Sequence, residues 1–184
     1  SGPAGFDLRF RRSTAKGDFG ERTTWLQATT LNGSTLMGKP GSTYCIEAHG
    51  LDEVGNTGVW SPESCTAVPL DDRSLLAKGS WIRAPGGVFE DSTSTAKARG
   101  ARLVVKEARV RRFAIMARTC PECGTVRVSW RGKVLGTIDL SAPEQDGVIF
   151  SMGTKGKARS GTLVLEVRSK GRPVTIDAVG ITRV

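Results

Sequence analysis

The sequence predicts an all-β protein, and three observations predict it. Glycine and proline are frequent, 23 and 8 among 184 residues, so few windows run long enough without a breaker to form a helix. The apolar residues fall in short runs that alternate with polar ones, the period of a half-buried strand. Between the runs stand turn dipeptides: Asn32-Gly33, Pro40-Gly41, Arg131-Gly132 and Asp146-Gly147. The expected organisation is two small β modules, residues 1–70 and 71–184.

In the first half, Phe6, Leu8 and Phe10 alternate with Asp7, Arg9 and Arg11, which predicts a strand with one apolar face. A polar, Gly-bearing turn from Ser13 to Gly20 leads to a second strand, Thr23 to Thr30, around Trp25 and Leu26. Asn32-Gly33 predicts a hairpin. Pro40-Gly41 opens a third strand, Thr43 to His49. Asp52 to Gly58 is turn-rich, and Val59 to Val68 closes the module. Val68 to Ser74 predicts a short linker that leaves the modules close and modestly mobile.

The stretch from Leu36 to Tyr44, with its Pro40-Gly41 turn and lone tyrosine, resembles the entry to the sixth strand of a fibronectin type III domain. Ala48 to Asn56 resembles that family's strand end and D-x-x-G-N loop, Trp60-Ser61 the start of its last strand, and Phe6 to Arg12 its third strand. The resemblance covers residues 4–68. It implies that the Tyr44 hydroxyl folds back onto the backbone as a tyrosine corner. It also implies two further strands ahead of Phe6, where this sequence has only Ser1-Gly2-Pro3-Ala4-Gly5. A sandwich without them exposes a sheet edge and one core face. The expectation is that a cleaved N-terminal fragment or a partner chain covers that flank. An N-terminal Ser1 is what either self-cleavage or removal of a tag leaves.

The second half predicts strands at Trp81–Arg83, Val88–Glu90, Arg102–Val105, Val110–Ala117, Val126–Trp130, Lys133–Leu140, Val148–Met152, Leu163–Val167 and Val174–Val184. Their spacing near 10–15 residues suits a β-sandwich or jelly roll. Phe113 to Ala117 is apolar on both faces, which predicts a central strand. Trp81 to Ala101, Gly124 to Leu140 and Gly161 to Val184 resemble the opening, middle hairpin and closing strand of jelly-roll, galactose-binding-type carbohydrate-binding modules of secreted actinobacterial proteins. The resemblance implies a fold and, as an expectation, a glycan ligand.

The formal charge is +9, but residues 1–70 carry a net −1 and residues 71–184 a net +10. That asymmetry supports two modules and would steer polyanions to the second. Four cysteines permit three pairings. The module division favours Cys45–Cys65 and Cys120–Cys123, and two intramodular disulfides imply an oxidising, extracellular or cell-surface location. No apolar run reaches the ~20 residues that span a bilayer. No signal-peptide pattern is present, so any export signal has been removed or lies outside this stretch.

Candidates for chemistry are few. Cys120-Pro121-Glu122-Cys123 has the spacing of a zinc or redox pair. A zinc site would need further ligands that only His49 and the distant cysteines offer. A redox pair would need a following helix, where β-type sequence stands instead. His49 is the single histidine, so a Ser-His-Asp arrangement has one possible base. Glu90, Asp91, Asp139, Asp146 and Asp177 are the acids available for glycoside chemistry, and nothing singles out a pair. The 11 aromatics give few platforms for sugar stacking, and the parity of Trp130 with Val126 and Val128 places it in the core. Arg127 and Arg131 lie on the opposite parity. With Arg111 and Arg118 they predict a basic face whose guanidinium forks would grip carboxylate, sulfate or phosphate. No sequence-specific nucleic-acid motif accompanies the charge.

The expectation is a non-catalytic accessory pair that attaches a secreted protein to glycan or an anionic surface polymer, with no metal and no cofactor. The alternatives are a protein-interaction module completed by donated strands, and an unrecognised hydrolase.

Overall fold

The computed structural model describes residues 3–154 and 156–183, so the candidate terminus Ser1 and the end of the last expected strand at Val184 lie outside the described residues. The first four strands are β1 (Gly5–Thr14), β2 (Thr23–Thr29), β3 (Ser42–Leu51) and β4 (Ser64–Val68), joined in an antiparallel sheet of order β2-β1-β3-β4. The register opposes Leu8 to Ala48 and Phe10 to Ile46, and on the other side Leu8 to Leu26. Opposed residues share a face, so Phe6, Leu8, Phe10, Leu26, Tyr44 and Ile46 make one apolar surface. Asp7, Arg9 and Arg11 share the reverse side with His49, Glu47 and Cys45.

The Tyr44 hydroxyl accepts a hydrogen bond from the Lys39 amide at 2.9 Å, the backbone contact expected of it. The expected hairpin at Asn32-Gly33 does not form. β2 pairs with the strand before it, β1, and residues 30–41 cross to β3 without strand structure.

The remaining chain forms a two-sheet sandwich. Its strands are β5 (Leu70–Asp71), β6 (Leu76–Lys78), β7 (Ile82–Pro85), β8 (Ser92–Ala96), β9 (Arg102–Val110), β10 (Arg112–Thr119), β11 (Thr125–Trp130), β12 (Lys133–Asp139), β13 (Gln145–Gly153), β14 (Arg159–Val167) and β15 (Val174–Thr182). One sheet runs β13-β10-β15-β8-β7, with β5 also paired to β15, and the other runs β12-β11-β14-β9-β6. As expected, β10 is internal, with β13 on one side and β15 on the other. Leu103, Val110, Phe113, Ile115, Val126, Val128, Leu163, Leu165 and Ile176 meet between the sheets as one continuous core.

Two expectations fail here. Val88–Glu90 is a turn rather than a strand; the strand follows it as β8, whose inward positions include Ser92 and Ser94. Nor is Val68–Ser74 a loose linker, because Leu70 and Asp71 pair with Val179 and Ala178 of β15. The buried Asp72 that follows accepts from Ser94 Oγ at 2.5 Å and from Ser92 Oγ, and Asp71 accepts from Ser92 Oγ at 2.8 Å. Buried carboxylates persist only when so satisfied, which locks the segment to β8.

Candidate functional site

The two sheet systems meet along the end of β15. Thr43 Oγ1 on β3 donates to the Ile181 carbonyl at 3.0 Å, and the Arg109 amide donates to the Ala15 carbonyl at 2.8 Å. Gly41 has a φ of +70°, and a Cβ there would come 2.5 Å from Leu70 Cδ2. Only glycine fits both constraints, so the chain turns tightly where the sheets touch.

Between β4 and the outer face of β10, β13 and β15 lies an open cleft of about 670 Å3, lined by Glu63, Cys65, Arg112, Ser151, Met152 and Thr182. The volume is within the range of small-molecule sites. The sheet floor is shallow because Ala114 and Gly180 stand there, close enough that a Cβ on Gly180 would be 3.2 Å from that of Ala114. Thr182 Oγ1 is buried with no hydrogen-bond partner among the described residues. No carboxylate of the described residues lies within 4.0 Å of the Arg112 guanidinium. Glu63 is already engaged by Arg11 at 2.5 Å and Arg22 at 3.0 Å. The cleft therefore offers a guanidinium with no carboxylate partner among the described residues and the apolar side of Met152, an arrangement suited to a polar ligand with an apolar face.

The four arginines expected to form one basic face are not brought together. Arg118 is on β10 and Arg127 on β11, and those strands belong to opposite sheets. Arg118 pairs with Glu144 and, at 3.6 Å, with Asp146. Arg127 donates to both oxygens of Glu166, at 3.0 and 3.1 Å, and Arg168 and Arg102 reach the same carboxylate. Hydrogen bonding from Arg168, against the effect of burial, holds the Glu166 carboxyl below its ordinary range. Arg131 occupies the β11–β12 turn at a φ of +51°, its stem folded over Gly161, where a Cβ would come 2.3 Å from Arg131 Cγ. Arg111, at the other end of β10 from Arg118, lines a cavity of about 420 Å3. The parity rule sorts residues within a strand; it carries no information on which sheet the strand joins, and the chain changes sheets between Arg118 and Arg127.

The carboxylates are held in separate places. Asp177 accepts from the Val88 amide at 2.8 Å and the Phe89 amide at 3.2 Å, and burial raises its pKa. Asp139 caps the turn at Ser141, Asp91 accepts from the Gly86 amide, and the Glu90 carbonyl, not its carboxylate, binds Arg73. His49 contacts Asp7 at 2.9 Å through Nε2 and stacks on Trp60 at 3.9 Å, while the Arg9 guanidinium lies 3.8 Å over the same ring. Both faces of Trp60 are thus covered. Trp130 is buried edge-on against Phe113, as its parity predicts. Neither ring is a platform for a sugar.

Cys45–Cys65 and Cys120–Cys123 are both disulfides. Glu63 lies beside the first, but its two sulfurs are bonded to each other and have no thiolate to give a metal. The second closes the corner between β10 and β11, with the Cys123 amide donating to the Cys120 carbonyl at 3.0 Å and a strand following.

No protein-family model matches the sequence, and no curated protein matches it. Solved structures do resemble the fold. One is a glycoside hydrolase family 43 arabinoxylan arabinofuranohydrolase from Bacillus subtilis in complex with cellotetraose, at a TM-score of 0.50 and 15% identity; the match covers 78% of this chain and 34% of that one. Another is the CBM36-1 domain of a multidomain xylanase from the hindgut metagenome of Trinervitermes trinervoides, at a TM-score of 0.50 and 12% identity, over 65% of this chain and 98% of that one. This chain spans about a third of the length of the arabinofuranohydrolase. At these identities the likeness is one of fold: residues 70–182 form a jelly-roll-type β-sandwich.

Proposed function

We propose that this chain is a non-catalytic binding unit of an extracellular protein, made of two modules divided near residue 70, that engages glycan in the cleft between them. The observation that carries the reading is Arg112, which has no carboxylate partner among the described residues, beside the apolar Met152 in an open cavity of about 670 Å3. A guanidinium presents five donors in a fixed fork. The fold shared with a carbohydrate-binding module and the two disulfides of an oxidising compartment agree with it. Titration calorimetry against a panel of neutral and acidic polysaccharides tests it. Binding by the wild type that drops about tenfold in Arg112→Ala supports the reading, on the scale of one charge-assisted contact. Binding that is absent, or unchanged in the variant, removes it.

A second reading has its own observation. No second sheet covers the apolar face of β1–β4 among the described residues, and Phe6 remains 38% exposed. Such a face suits a fibronectin-type sandwich completed by strands from a severed N-terminal fragment or a partner chain. A face of this kind binds an environment-sensitive apolar dye; absence of dye binding by the isolated chain would count against it.

A further inference from the structure

The rim of the cleft has a reverse side. Arg112 is paired with Gly153 on β13 and Thr182 on β15, and these line the cleft. The next residues along each strand, Arg111, Thr154 and Arg183, line a separate cavity of about 420 Å3, together with Gly156, Lys157 and Ala158.

Arg183 is the unusual member. Its side chain is only 5% exposed. Its Nη2 donates to the Thr14 carbonyl at 2.8 Å, and its Nη1 lies 3.5 Å from Asp18 Oδ1. Asp18 is itself 75% exposed and is engaged by Arg109 as well. Among the described residues, neither Arg111 nor Lys157 has a carboxylate within 4.0 Å. Arg109 and Arg183 therefore share one solvent-facing carboxylate, while Arg111 and Lys157, which line the cavity with Arg183, have none among the described residues. Burial and repulsion from Arg109 lower the Arg183 pKa, against the attraction of Asp18. A buried cation is costly unless an anion approaches it closely, and a guanidinium fork receives an oxyanion in two parallel hydrogen bonds.

We propose that this pocket binds an acidic substituent, carboxylate or sulfate, of a glycan whose neighbouring residues lie in the cleft across the rim. The inference rests on the glycan-binding reading above and narrows it to acidic polysaccharides. Of the expected basic face only Arg111 lines this pocket; Lys157 and Arg183 lie far from it in sequence and reach it only through the fold.

The test uses the whole chain in three forms: wild type, Arg111→Gln/Lys157→Gln and Arg112→Ala. Arg111 and Lys157 are exposed, so the double variant should fold; matching circular dichroism and melting curves check this. Probes are a polyuronate, a sulfated polysaccharide, a neutral β-glucan and single-stranded DNA, at low and raised salt. The double variant should bind the acidic polymers about tenfold more weakly and show a shallower salt dependence. It should leave any neutral-glucan binding unchanged. Loss with the polyuronate alone assigns carboxylate as the ligand, loss with the sulfated polymer alone assigns sulfate, and either supports the proposal. Neutral-glucan binding sensitive only to Arg112 would overturn the acidic site while keeping the glycan reading. Acidic-polymer binding unchanged in the double variant would do the same. Binding of DNA alone, or of none of the probes, would remove both.

Discussion

The sandwich and the four-stranded sheet are made by the same pairing rules and held together by different forces. In the sandwich two sheets close over one continuous core, with Phe113, Leu103, Ile115, Leu163, Leu165 and Ile176 almost wholly withdrawn from water. In the four-stranded sheet the buried hydrophobics are Tyr44 and Cys45. Its reverse face is instead laced by charge: Arg9 and Arg22 each meet Glu47 at 2.5 Å, and Arg22 and Arg11 share Glu63. A sheet needs a partner layer to hide one face. The sandwich supplies its own, whereas β1–β4 depend on ion pairs, a disulfide and their contact with β15.

Truncating an equivalent ring in each region tests that contrast most strongly. Phe113→Ala, inside the sandwich, should cost about 3–5 kcal/mol, the range for a buried aromatic leaving a cavity. Phe10→Ala, on the half-covered face, should cost about 1–2 kcal/mol, because its ring is only partly withdrawn from water and its loss leaves no enclosed cavity. Urea denaturation of both variants measures the difference, and equal losses would mean that something covers the first sheet as fully as the second.

The same contrast explains what could be read in advance. β1, β3 and β10 to β15 were legible because apolar alternation states which face is buried. β8 was not, because its inward positions Ser92 and Ser94 are filled by hydroxyls that bind Asp72 across the chain, and a Ser-Thr run carries no apolar period. The pairing of β5 with β15 escaped for the same reason, since two residues are too few to alternate. Disulfide partners followed from the module division. The basic pocket did not, because its residues are separated by more than seventy positions from Arg111 to Arg183 and converge only at the rim.

The disulfides offer the next largest effect, one in each region. Cys45 and Cys65 are directly opposed on β3 and β4 and close a loop of 20 residues. On a chain-entropy view, loss of this link costs about 3 kcal/mol. Cys120 and Cys123 are separated by 3 residues, and their loss should cost about 2 kcal/mol on the same relation. Cys45→Ala/Cys65→Ala should raise amide exchange chiefly in β3 and β4, where little core remains to hold the edge strand. Cys120→Ala/Cys123→Ala should leave the exchange of β10 and β11 slow, because the core beneath them is intact. Hydrogen-exchange mass spectrometry separates the two outcomes, and protection lost evenly across the chain in both variants would break the distinction between the regions.

The smallest effect is electrostatic, and one carboxylate of the sandwich reverses its sign. Hydrogen bonds from Arg22 and Arg9 outweigh burial and hold Glu47 below its ordinary range, and Arg168 and Arg127 do the same for Glu166. A carboxylate with a depressed folded pKa adds stability above its unfolded value of about 4.3, and that contribution disappears as pH falls through the folded pKa. Asp177 acts in reverse. Burial raises its pKa, so it subtracts stability while ionised and ceases to do so as pH falls through that raised value. The sandwich therefore has an internal offset to acid, whereas Asp7, Glu47 and Asp52 in the first sheet are all shifted downward. Because the arginines around Glu47 and Glu166 are about 30–50% exposed, each network should contribute only ~0.2–1 kcal/mol per pair. Glu47→Gln and Glu166→Gln should each lower stability at pH 7 by that amount, and the deficit should shrink as pH falls through the depressed folded pKa, where the native glutamate takes up its proton and resembles the amide. Denaturation over a falling series of pH values reads this directly. A deficit that does not shrink with falling pH would assign these glutamates a packing role instead of an electrostatic one.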